Sequence, residues 1–199
     1  MNASLTDDLM SQLQGQPLAE IGQQLGLSGP QASDAVSAAL PLLLGALGRN
    51  ASQPQGAEAL FGALQRDHAG VDISNVLGTV LGGGGQGAEI LGHIFGGGQN
   101  NASQGLGVAS GLGGAQANSL LKILAPIVLA YLAKRMFAQG GANTPQALGR
   151  VLGQEQHQIR QQGGLGGGLL GAVLDRDGDG DADFSDLIGL AGSVLGGRR

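Results

Sequence analysis

The strongest hydrophobic pattern is a pair of apolar blocks, Ala35–Leu47 and Ile123–Ala133, which run 13 and 11 residues before a charge or a glycine turn. Both fall short of the roughly 20 residues that a membrane-crossing helix needs, so buried helices are expected. Around them the apolar rhythm predicts short helices at 4–13 and 88–95, others at 17–25 and 103–110, and long ones at 30–48 and 115–138. Weaker patterns predict helices at 57–67, 73–81, 145–162 and 168–174, with a closing one at 183–195. Ser28 and Thr144-Pro145 suit helix starts, the second because proline fits the first helical turn. No stretch alternates with period two, so the expected class is all-α.

The pattern occurs twice. Shifted by 85 positions, Leu27–Asn50 aligns with Leu112–Arg135, with identities at Leu27/Leu112, Gly29/Gly114, Gln31/Gln116, Ala32/Ala117, Pro41/Pro126, Leu44/Leu129 and Leu47/Leu132. A proline inside each apolar helix removes a backbone donor at the same place, which predicts a bend shared by both copies. Upstream, the same offset pairs Leu5, Leu9 and Met10 with Ile90, Ile94 and Phe95. Downstream, Ala59-Leu60 and Leu64 find Ala147-Leu148 and Leu152 at an offset of 88, and Leu77–Leu81 resembles Leu170–Leu174 at 93. The expectation is a tandem duplicated helical array with glycine-rich connectors, divided into a first unit over 1–87 and a second over 88–199.

Composition narrows the chemistry. With 199 residues the chain can form one good core or two small ones. Its 40 glycines lie between apolar runs rather than in a collagen-like triplet. The absence of cysteine removes disulfides, thiolate nucleophiles and sulfur-ligated metals. The acidic start, Met-Asn-Ala-Ser-Leu-Thr-Asp-Asp, lacks the basic and apolar regions of a secretory signal, so cytoplasmic residence is expected. The first 48 residues carry Asp7, Asp8, Glu20 and Asp34 and no Lys or Arg.

Ile90-Leu-Gly-His-Ile-Phe-Gly, the Gln116–Lys134 helix with its central Pro126, the glycine connectors and the closing Asp-Gly-Asp-Gly segment together resemble the YidB-like bacterial family called domain of unknown function 937. The resemblance covers most of the chain. It implies a small helical fold, and it carries over no activity, ligand or catalytic residue.

The one explicit site motif is Asp175–Asp186. It fits a twelve-position calcium loop with Asp175, Asp177 and Asp179 at positions 1, 3 and 5, Gly180 at 6, Asp183 at 9 and Asp186 at 12. Asp181, at position 7, would contribute its backbone carbonyl. Calcium takes six to eight hard oxygens at about 2.3–2.6 Å, and alternating carboxylates on a tight turn supply them. Six carboxylates repel one another, with Arg176 as the only internal offset, so a divalent cation is a natural counter-charge. The spacing resembles dockerin-type loops, which also close on Asp, more than hands that close on Glu. Asp186 reaches less far than Glu, Ala182 replaces a branched apolar residue, and no second loop pairs with this one. Such a site belongs at the weak end of the range, roughly 10⁻⁴ M, with Mg²⁺ as an alternative occupant. The competing reading is an acidic surface turn whose aspartates cap their own backbone.

Other signals are weaker. Leu18–Ile21, Leu25–Ser28 and Gln31–Leu44 have a helix-turn-helix cadence, so a regulator acting through protein contacts or DNA is the alternative function. Its would-be recognition helix offers Gln31, Ser33, Asp34 and Ser37 in an anionic segment, and phosphate repulsion argues against nucleic acid. The glycine runs lack the strand and the Lys-Ser/Thr of phosphate loops. His68, His93 and His157 have no metal spacing and read as partly buried structural residues, His93 on an apolar face. Ser110 lacks a nucleophile-elbow pattern. Tyr131, Met136 and Phe137 read as core, with a partner or membrane-surface helix as the sharper alternative. The expected function is therefore a non-enzymatic structural or interaction protein, binding one Ca²⁺ through the six aspartates, with an unidentified protein partner and no membrane span.

Overall fold

The computed structural model describes residues 4–67, 72–84, 86–138 and 144–161. Within them the chain forms α1 (Leu5–Leu13), α2 (Gln16–Leu25), α3 (Gly29–Ala51), α4 (Pro54–Asp67), α5 (Ile73–Leu81), α6 (Gly87–Phe95), a 3₁₀ turn (Gly96–Gly98), α7 (Gln99–Ser110), α8 (Gly114–Ala138) and α9 (Pro145–Gln161). No strand occurs among the described residues, and the fold is all-α. The helices expected at 168–174 and 183–195 lie outside the described residues. α7 begins four residues earlier than its apolar pattern predicts, because the 3₁₀ turn feeds straight into the polar Gln99–Asn101 segment.

The two apolar blocks become the two central helices. Every residue from Ala39 to Gly48 in α3 and from Ile123 to Ala133 in α8 is buried. A helix that is apolar on all sides can lower its free energy only when surrounded. α3 and α8 accordingly pack on one another and are sheathed by the shorter helices, α3 by α1, α2, α4, α6, α7 and α9, α8 by α2, α4, α5, α6 and α7. No helix of the described residues is long and apolar enough to cross a membrane. One hydrophobic cluster contains residues from both sides of the boundary expected at residue 87. Packing also crosses that boundary, since α5 lies on α8, and α9, the expected counterpart of α4, lies on α3 and α4.

Several local geometries recur 85 positions apart. α2 and α7 both end on a left-handed glycine, Gly26 at φ 68°, ψ 32° and Gly111 at φ 68°, ψ 17°, a conformation that costs a residue with a Cβ about 1 kcal/mol or more. After α2 the Leu27 N–H donates to the Gly22 carbonyl at 2.8 Å, the closure of a Schellman motif. The following helices open alike: the Ser28 N–H donates to Gln31 Oε1 at 3.1 Å, and the Gly113 N–H donates to Gln116 Oε1 at 3.4 Å. In α1 and α6 the buried positions correspond at an offset of 82 instead, Leu5 and Leu9 against Gly87 and Leu91. The three-residue difference from 85 equals the length of the 3₁₀ turn that follows α6.

Both long helices continue past their buried prolines, Pro41 and Pro126. Each proline leaves the carbonyl four residues earlier without its helical donor. Ser37, four before Pro41, is exposed to water. Four before Pro126 stands Lys122, and the first residue of α6 answers it, since a Cβ at Gly87 would collide with the Lys122 carbonyl oxygen. The Gly87 Cα–H therefore points at that oxygen, in the geometry of a weak Cα–H···O bond.

Gly87→Ala should destabilise the fold by about 1–3 kcal/mol, because the new methyl meets backbone and α6 must lift from α8. Gly92 lies in the same helix, is exposed and has nothing within 4 Å of an added Cβ, so Gly92→Ala should stabilise by up to about 1 kcal/mol. Urea midpoints of the two variants measure both signs.

Candidate functional site

The aspartate loop, with Asp175, Asp177, Asp179, Asp181, Asp183 and Asp186, lies outside the described residues. Among the described residues no three His, Asp or Glu side chains come together in a way that could hold a metal ion. What the interior does contain is a set of polar side chains directed at helix ends.

The most buried of these is Glu155. In α9 the apolar anchors Leu148, Leu152 and Ile159 are buried, and Glu155 falls on their face, three residues after one and four before the next. It is only 3% exposed. Its Oε2 accepts from the Leu5 N–H at 2.8 Å, and its Oε1 accepts from the Thr6 N–H at 3.0 Å and the Thr6 hydroxyl at 2.6 Å. The next two donors of α1 turn to Ser4: the Asp7 N–H donates to its Oγ and the Asp8 N–H to its carbonyl, both at 3.0 Å. The amides of Leu5, Thr6 and Asp7, which a helix start leaves without an intrahelical acceptor, are thus satisfied, two of them by a carboxylate 150 and 149 residues away. A negative charge at a helix N-terminus is favoured both by the macrodipole and by charge-assisted hydrogen bonding. The spacing of α9 could have flagged a carboxylate inside an apolar stripe, but nothing in the sequence named its partner.

One turn along α1, Asp8 meets α8. The Tyr131 hydroxyl donates to Asp8 Oδ2 at 2.6 Å, and Arg135 Nη1 lies 3.3 Å from the same oxygen. Tyr131 is 2% exposed. Burial pushes its phenol far above the ordinary value, the hydrogen bond to Asp8 adds to the shift, and the Arg135 charge partly offsets it. Further caps join the two expected units. The Asn50 amide donates to the His93 and Ile94 carbonyls at the end of α6, at 3.3 and 3.0 Å. The Gln116 amide donates to the Leu25 carbonyl at the end of α2, at 3.2 Å.

The remaining sequence candidates are placed as follows. Tyr131 is core, and Met136 and Phe137 pack against it partly buried, with the Phe137 ring edge-on to Phe61 at 5.7 Å. His93 and His157 are both exposed, which corrects the expectation of partly buried histidines: His93 sits on the solvent side of α6, whose buried positions are Gly87, Leu91 and Ile94. His68 lies outside the described residues. The Ser110 hydroxyl donates to the Leu106 carbonyl of its own helix. On α3 the exposed positions are Gly29, Pro30, Gln31, Asp34, Ser37 and Arg49, so its first half offers no cation to a phosphate backbone. Among the described residues the one large hydrophobic that stands exposed is Val108, at 87%.

The model of a family described as "Bacterial protein of unknown function (DUF937)" matches residues 7–135. The matched span runs from α1 into α8 and stops before α9. Neither a search of curated proteins nor one of solved structures returns a match to the chain.

The buried phenol gives a measurable consequence. Because its neutral form is favoured in the fold, its stabilising share is complete below the unfolded value of about 10 and is lost as pH rises through the folded one. Tyr131 is the sole tyrosine and there is no tryptophan, so phenolate absorbance reports this group alone. It should stay silent at pH values where free tyrosine is half ionised, and Asp8→Asn should shift the onset downward.

Proposed function

This chain belongs to the family of bacterial proteins of unknown function (DUF937), and we propose that it is a non-enzymatic structural or interaction protein that binds one Ca²⁺ through its C-terminal aspartate loop. The observation that carries the metal reading is the spacing itself: Asp175, Asp177, Asp179, Asp181, Asp183 and Asp186 around Gly180 match the ligand positions and the sharp turn of a calcium loop. Asp175, Asp177, Asp179, Asp183 and Asp186 would supply carboxylates, and Asp181 its main-chain carbonyl. Bound calcium supplies positive charge that offsets their mutual repulsion. Mg²⁺ is the competing occupant, and its preference for near-ideal octahedral geometry and retained waters makes it the weaker one for a ligand set this rich in carboxylates.

The non-enzymatic reading is supported by where the polar side chains are directed. Glu155, Asn50 and Gln116 each hold the end of a distant helix, and Tyr131 and Asp8 hold each other. The same reading takes the chain as two copies of one unit that lean on each other. Gly26 and Gly111, Gln31 and Gln116, and Pro41 and Pro126 repeat at one spacing and in matching local roles.

Titration calorimetry of chelator-stripped protein should give one Ca²⁺ per chain at roughly 10⁻⁴ M, with Mg²⁺ weaker. Asp175→Ala with Asp179→Ala should abolish the heat. No heat from the unaltered protein up to millimolar Ca²⁺ removes the site and leaves an acidic turn.

A further inference from the structure

We draw no further inference here: the strongest candidate, the outer face of α7 where Val108 stands 87% exposed in line with the exposed Asn101 and Gln104, carries nothing, because one apolar side chain on a polar helix face is ordinary and nothing in the structure shows what covers it.

Discussion

Sheathing two helices on every side is the constraint from which the rest of this structure follows. α3 and α8 carry the longest apolar runs in the chain, and both are covered by helices of 9 to 17 residues. Most of those covering helices are too short to hold together in water unaided, where stability begins at about 12–15 residues. They owe their existence to the surface they cover and to what is done about their ends. The ends are met from a distance: Glu155 of α9 holds the start of α1, Asn50 of α3 holds the end of α6, and Gln116 of α8 holds the end of α2. The bond from Leu5 to Glu155 satisfies a buried backbone amide, and all three contacts tie the end of one helix to a side chain of another.

The glycine content has a similar explanation at particular positions. Gly48 and Gly149 bring α3 and α9 to backbone distance, and Gly87 lets α6 reach the carbonyl that Pro126 strips of its donor. A proline in a central helix and a glycine at the start of a neighbouring one are thus a single device. The proline opens the hydrogen-bond ladder, and the glycine approaches closely enough to offer a Cα–H to the orphaned oxygen.

Much of this could be read beforehand from periodicity. The helices at 5–13, 16–25, 73–81 and 114–138 lie where the apolar rhythm places them, and the blocks Ala35–Leu47 and Ile123–Ala133 mark the centre of the core. Burial of an entire run leaves a dense signal, and a capping glycine or proline leaves a sharp one. Long-range caps leave almost none. Glu155 looks like one polar residue in the glutamine-rich stretch Gln154–Gln158, and its role depends on an amide 150 residues away. His93 misled for the converse reason, since apolar neighbours in sequence do not fix which side of a nine-residue helix faces water. The aspartate loop is legible as spacing alone, and the proposal that it binds a metal rests on that spacing.

The claim that side chains from remote helices hold the ends of the covering helices is tested most directly at Thr6 and Glu155. A double-mutant cycle of Thr6→Val and Glu155→Gln, followed by urea unfolding, isolates the coupling between the hydroxyl and the carboxylate. The account predicts a coupling of about 1–3 kcal/mol, the range for a hydrogen bond to a charged group. Effects that add to within about 0.3–0.5 kcal/mol, with no loss of stability in Glu155→Gln alone, would contradict it and show that the carboxylate does not hold the start of α1.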